Sequence, residues 1–163
     1  FIIVIENENE IVNKFLETRH NKQTLKEIKK YILNCKKEKS TLLAICLNES
    51  NKHIGNIKIG AINENHKYAY ISYFIGDTDE WGKGYGTEAV KLTLKISFNI
   101  LNLYKCYAGI YKKNIASAKV LKNSGFKKEA ILKSSLIYLG KRDDHIIYSV
   151  LKKDFLKLKK RKI

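Results

Sequence analysis

A single α+β domain, built on one mixed central sheet of about six to seven strands, is what this sequence predicts. Three observations carry the prediction. Apolar residues make up 44% of 163 residues, enough to bury one core at this length. Alternating apolar runs occupy the middle and the C-terminal third of the chain, and runs of helical period lie before and between them. The chain has no proline, no internal repeat and no low-complexity break that would divide it. The predicted order is β-α-α-β-β-β-α-β-α-β-β.

The elements follow in turn. Residues 1–5, FIIVI, read as a strand, and residues 10–18 as a helix. A second helix runs from Leu25 to Cys35 behind Thr24, a residue suited to cap it, with Leu25, Ile28, Tyr31 and Ile32 on one face. TLLAICLN (41–48), HIGNIKIGAI (53–62) and YAYISYFIG (68–76) are apolar or alternating runs separated by the turn-like ESNK and NENHK. They predict three consecutive strands in an antiparallel meander. A long helix follows EWGKGYGTEA, and its polar stripe of Glu88, Lys91, Lys95, Asn99 and Asn102 is narrow, as in a helix buried over most of its girth. YKCYAGIY (104–111) predicts the next strand. NIASAKVLKNSG (114–125) predicts a short helix capped by Asn114 and ended by Gly125. Two strands, about 130–138 and 145–152, complete the sheet, and KLKKRKI reads as a solvated basic tail.

Composition narrows the partners. The formal charge of +16 raises the local concentration of anions, but the lysines are interspersed throughout and no motif of a nucleic-acid-binding fold accompanies them. Nucleic acid is therefore not the expected partner, although a basic nucleic-acid-binding module stands as the alternative from another class. No apolar run nears the length of a membrane span, and FIIVI is too short for a signal sequence, so a cytoplasmic protein free of membrane is expected. Cys35, Cys46 and Cys106 are scattered and read as small core residues. The four histidines are equally dispersed, so no metal site is expected.

The glycines carry the chemistry. Three of the nine in the chain, Gly82, Gly84 and Gly86, fall within five positions that open the buried helix. The first turn of a helix presents amide protons without intrahelical partners and the positive end of the dipole. Glycines there clear the way for an anion, and a phosphate or pyrophosphate is the natural guest. The nucleotide-triphosphate loop is excluded because the Gly-Lys-Ser/Thr signature is missing. A dinucleotide-binding fold is excluded because the strands before the loop form an antiparallel meander.

WGKGYGTEA resembles the coenzyme A loop of the GNAT N-acetyltransferase superfamily, Q/R-x-x-G-x-G/A, with Trp81 where Gln or Arg is common. The branch it resembles most includes the ribosomal-protein-alanine acetyltransferases, which carry Gly-x-Gly-Tyr-Gly/Ala-Thr-Glu-Ala. NIASAKVLKNSGF is similar to that branch's Asn-x-x-Ser segment, and GKRDDHIIYSVL to its Gly-x-x-x-Asp start of the last strand, with Asp144 at the Asp position. The resemblance implies one acetyltransferase domain over 1–163: variable substrate-side helices over 1–40, an acetyl-CoA-binding core over 41–152 and the basic tail over 153–163. It implies that the backbone of Phe74, Ile75 and Gly76 pairs with the pantetheine arm. It implies also that the loop of Trp81, Gly82, Lys83, Gly84, Tyr85, Gly86 and Thr87 holds the pyrophosphate, that Asn114 bonds the coenzyme, and that Ser117 lies near its sulfur. Acetyl-CoA is then the co-substrate, with a primary amine as acceptor. Leu121 stands where the wider superfamily often has a tyrosine general acid, which leaves Ser117 or a water for that role.

Direct attack of an amine on the thioester needs a proton acceptor and no nucleophilic cysteine. The candidates in the sequence are Glu64 and His66 in NENHK, Glu88 in the first helical turn and Tyr148 on the last strand, while Tyr70 occupies a position at which relatives often carry Glu. The acceptor is expected to be a peptide or protein N-terminus or another small amine, neutral or anionic overall, because a polycation is repelled by the residual positive field. A nucleotide-linked amino sugar is the alternative acceptor. Monomer and homodimer both fit.

Overall fold

The computed structural model describes residues 10–20 and 24–160; the strand expected at 1–5 lies outside them. A short helix α1 (Glu10–Asn13) and a 3-10 turn (Glu17–His20) replace the single helix expected over 10–18. Arg19 holds this turn tight by donating to the Leu16 carbonyl at 2.8 Å. Helix α2 (Leu25–Lys37) starts at a capping box: Thr24 Oγ1 accepts from the Glu27 amide and the Glu27 carboxylate accepts from the Thr24 amide. Its inward face differs from the expected one. Ile28 and Cys35 are buried and Ile32 half-buried, an i, i+4, i+7 row, whereas Leu25 is exposed and Tyr31 lies outside under the Lys58 ammonium.

The strands are β1 (Thr41–Cys46), β2 (His53–Ile59), β3 (Tyr68–Ile75), β4 (Lys105–Tyr111), β5 (Lys127–Tyr138) and β6 (Lys141–Leu151). They form one six-stranded mixed sheet in the order β1-β2-β3-β4-β6-β5. The first three make the expected antiparallel meander, and β6 is antiparallel to both of its neighbours, β4 and β5. Among the described strands the one parallel junction is short: β3 and β4 pair only from Tyr68 with Lys105 to Tyr70 with Tyr107. Beyond that rung the two strands part, and the sheet opens into a cleft at their C-terminal ends.

Helix α3 (Tyr85–Lys95), continued by a π-turn over Ile96–Ile100, and helix α4 (Ile115–Asn123) lie on one face. There Val90, Leu94 and Phe98 meet Ile57, Ile59 and Ile71 of the meander, Cys106 and Ala108 of β4, Leu121 of α4, and Ile146 and Val150 of β6. Each fully buried aliphatic or aromatic side chain of this kind contributes about 1.5–3 kcal/mol over its exposed state. The α3 segment is less enclosed than its polar stripe predicts, since Leu92 and Ile100 face solvent. Cys35 and Cys106 are buried as expected, but Cys46 is exposed.

The basic C-terminal segment is not a loose tail. Lys152–Lys160 form helix α5, and Phe155 is buried with its ring centroid 5.5 Å from that of Phe98. One aromatic among many lysines anchors it. No helix of the described residues is long and apolar enough to cross a membrane.

Candidate functional site

The glycine loop hangs between β3 and α3. A 3-10 turn, Thr78–Glu80, is capped by Asp77, and the chain then takes left-handed conformations at Gly82 (φ 77°) and Gly84 (φ 93°) before entering the helix. A Cβ at either glycine would meet nothing within 4 Å, so backbone conformation and not crowding requires glycine there. Gly86 is different. It has ordinary helical geometry, and a Cβ on it would sit 3.6 Å from Val120 and 3.8 Å from Tyr73, in normal contact. The conformational demand on this loop therefore falls on Gly82 and Gly84 and not on Gly86.

The hydrogen bonds of this loop leave a gap in the middle. The Trp81 amide donates to the Thr78 carbonyl and the Thr87 and Glu88 amides to that of Gly84, but among the described residues the five amides of 82–86 donate to no backbone carbonyl. They sit at the positive end of α3. Trp81 braces the loop: its indole Nε1 donates to the Ile75 carbonyl at 2.9 Å. Lys83 adds positive charge while paired with Glu80 at 2.9 Å, and Tyr85 packs against the core.

Which β3 groups face the cleft follows from the register. Gly60 N–H donates to the Tyr70 carbonyl and Gly76 N–H to that of Ile54, so the backbone of residues 70, 72, 74 and 76 is turned toward β2. Tyr73 and Ile75 are turned the other way, into the cleft. This corrects the expectation for Phe74 and Gly76: Phe74 pairs with Asn56 of β2, and the Gly76 amide is spent on Ile54. Of Ile75, the amide faces the cleft free of a strand partner among the described residues, while the carbonyl holds Trp81.

Asn114 caps α4 by accepting from the Ser117 amide at 3.1 Å, which leaves its side-chain NH2 free of a protein partner among the described residues. Ser117 is half-buried in the first turn, and its carbonyl faces the Tyr73 hydroxyl at 3.5 Å. Burial pushes the Tyr73 phenol up to about 12, so it stays a neutral donor. Leu121 is fully buried, filling with an apolar side chain the place a tyrosine acid would need.

The remaining expected residues lie elsewhere. Glu64 and His66 precede β3, at the closed end of the junction. Glu64 is paired with Lys39 on the surface, and the His66 ring stacks on Tyr68. Five residues of strand, roughly 17 Å, separate Tyr68 from Tyr73 in the cleft. Tyr148 packs in the core on the helix-covered face opposite Ala108 and does not line the other face. Glu88 is exposed at the start of α3. Cys106 is enclosed in the core, and burial raises its thiol to about 12, as suits a protonated packing residue.

The far face of the sheet holds a group that no local sequence signal announced. Tyr111 at the end of β4 donates its hydroxyl hydrogen to Glu17 and accepts from Arg19 at 2.8 Å, and Arg19 also donates to the Ile137 carbonyl at 2.9 Å. Phe15 stacks on Tyr138 at 5.1 Å and meets Tyr111 at a tilt at 5.9 Å. Beside them, His145 of β6 pairs across the ladder with Tyr111, and its ring lies on Gly109 so closely that a Cβ there would be 2.1 Å from Nε2. Neither ring nitrogen has a hydrogen-bond partner among the described residues. Burial lowers the His145 pKa against an opposing pull from Glu17. Glycine at 109 and histidine at 145 are 36 positions apart, so only the strand pairing reveals the contact.

Residues 2–127 match the acetyltransferase (GNAT) domain family. A probable N-acetyltransferase of Bacillus subtilis is 31% identical over 130 residues, covering 79% of this chain and 71% of the relative. The spermidine N(1)-acetyltransferase of Escherichia coli is 28% identical over 102 residues, 63% of this chain and 54% of that protein. The crystal structure of spermidine N-acetyltransferase from Vibrio cholerae, in complex with CoA and spermine, superposes with a TM-score of 0.80 at 20% identity, covering 92% of this chain and 88% of that one.

Proposed function

Because the chain belongs to the GNAT N-acetyltransferases, an acyltransferase family whose acetyl donor is acetyl-CoA, we propose that it transfers acetyl directly from acetyl-CoA to the primary amine of a small acceptor. The observation that carries this proposal is the run of five amides, 82–86, that donate to no backbone carbonyl among the described residues, at the helix end beside two diverging strands. Those amides and the α3 dipole hold the pyrophosphate. The pantetheine arm enters the cleft and pairs with the backbone of Tyr73 and the amide of Ile75, taking the place a continued β4 ladder would fill. The free side-chain NH2 of Asn114 donates to the coenzyme, and the Ser117 hydroxyl, on the first turn of α4, donates a hydrogen bond to the departing thiolate and relays to it a proton taken up from solvent.

The acceptor approaches from the face of Tyr111 and Glu17, where α1 and the 3-10 turn cover the sheet. It is neutral or anionic overall. The net charge of +16 opposes a polycation, and two of the carboxylates near the cleft are already matched with cations, Glu17 with Arg19 at 3.8 Å and Asp144 with Lys112 at 3.0 Å. The named activity of the Escherichia coli relative makes spermidine the sharpest comparison. Titration calorimetry should detect acetyl-CoA binding, and coenzyme A release should be faster with an Ala-starting peptide or a nucleotide-linked amino sugar than with spermidine. Preference for spermidine would overturn the acceptor assignment, and failure to bind acetyl-CoA would overturn the proposal as a whole.

A further inference from the structure

We infer that His145 is the group that takes the proton from the attacking amine. The inference rests on the acetyl-transfer proposal and goes beyond it, because nothing in the loop, in α4 or among the sequence-derived candidates supplies a base on the acceptor side.

Position is the first argument. The last paired rung of the parallel junction is Tyr70 with Tyr107, so Gly109 is the next β4 residue on the acceptor face after the strands part. Its lack of a side chain allows the His145 ring to lie directly on the backbone at the apex of the cleft, with Nε2 the ring atom nearest to where a Cβ would be. A thioester lying between β3 and β4 at that depth has this imidazole beside it on the face from which an amine comes.

Availability is the second. Both ring nitrogens are free of protein partners among the described residues, whereas the neighbouring groups are engaged: the Tyr111 hydroxyl by Glu17 and Arg19, and Arg19 further by two carbonyls. Electrostatics is the third. The charged group acting on the ring is Glu17 from the 3-10 turn; Tyr111 from β4 and Leu132 from β5 are its cross-strand neighbours, Asp143 lies two residues before it on its own strand, and Arg19 is bonded to Tyr111 beside it. Desolvation keeps the imidazole neutral at pH 7, with a lone pair to offer, and the Glu17 carboxylate favours the imidazolium once it forms. Tyr111 is a poor alternative base, since burial and the Glu17 hydrogen bond both hold its proton on.

The step balances. The amine nitrogen bonds to the thioester carbonyl carbon, the carbon–sulfur bond breaks, the nitrogen's surplus proton moves to His145, and the coenzyme leaves as a thiolate that takes one proton to become the thiol. His145 then loses its proton to solvent. Neither an oxidant nor a metal enters.

His145→Gln keeps a polar side chain of similar size while removing the titrating nitrogen. It should lower kcat/KM by about a hundredfold or more, the usual scale of general-base catalysis, and abolish the fall of kcat/KM on the acidic side of the pH profile. Acetyl-CoA affinity by calorimetry should stay within about threefold of wild type. His145→Ala should be as slow and should recover with added imidazole, which a structural role would not allow. The assay uses whichever of the Ala-starting peptide, the nucleotide-linked amino sugar and spermidine wild type acetylates fastest. A wild type that binds and turns over beside a His145→Gln variant within about threefold of its rate, acidic limb intact, overturns the inference alone. A wild type that binds no acetyl-CoA overturns both it and the proposed function.

Discussion

Replacing Gly84 by valine separates anion binding from packing. Gly84 caps α3 at φ 93° and ψ −7°, and its missing side chain faces open space. A β-branched residue there meets no neighbour but must adopt a left-handed backbone, at a cost of order 1–3 kcal/mol. At about 2–4 °C per kcal/mol for a chain of this size, the midpoint should fall by roughly 2–12 °C and leave a folded protein. Relief of that strain comes from rotating the 83–85 peptides, which swings two or more amides away from a bound pyrophosphate. Each charge-assisted hydrogen bond lost is worth about 1.5–3 kcal/mol, so acetyl-CoA should bind at least about a hundredfold more weakly. Gly86→Ala is the control. Its added methyl lies at ordinary contact distance from Val120 and Tyr73, and alanine favours a helix over glycine by up to about 1 kcal/mol. It should hold or raise the midpoint and leave affinity within about threefold. Thermal unfolding without ligand and calorimetry with acetyl-CoA measure both quantities. A folded Gly84→Val protein that keeps near wild-type affinity would refute the reasoning.

Three further outcomes are expected. Ser117→Ala should slow turnover while leaving acetyl-CoA affinity nearly intact, and an unchanged rate in steady-state kinetics would remove this hydroxyl from the mechanism. Phe155→Ala should cost about 3 kcal/mol, because the ring is buried against Phe98, and a chemical-denaturation midpoint equal to wild type would mean that α5 contributes no packing. His145 has a folded pKa below its unfolded value of about 6.5, so the unfolded chain binds more protons as pH falls through that value. The stability it contributes is therefore complete above about pH 6.5 and lost toward the folded pKa; His145→Gln should flatten that part of the stability curve, and identical curves would contradict it.

The parts of the fold written in local period were legible in advance. Thr24 announced the start of α2, Asn114 and Gly125 bounded α4, and the three alternating runs of the meander stand within a few residues of their expected limits. Local pattern failed where a tertiary contact decides. The face of α2 was misjudged because Tyr31 is amphipathic and lies outward beneath Lys58, and α5 was hidden because one phenylalanine is outweighed by its lysines. The glycine loop was recognisable from composition, but which glycines need a left-handed backbone is a property of the turn and not of the spacing. Phe74 and Gly76 could not be told from Tyr73 and Ile75 without the β2 register that fixes which way each strand residue points. Glu64 and His66 drew attention as titratable residues near a strand, yet they stand at the wrong end of it. Gly109 beneath His145, and Tyr111 between Glu17 and Arg19, are long-range pairs with no sequence signature.

The central claim, that the free amides of 82–86 receive the pyrophosphate, is tested most directly by titrating coenzyme A into 15N-labelled protein and following each backbone amide. The largest downfield shifts should fall at Gly82 through Gly86, with smaller changes at Tyr73, Ile75 and the Asn114 side-chain NH2. Saturable binding that leaves the 82–86 amides unmoved would contradict it.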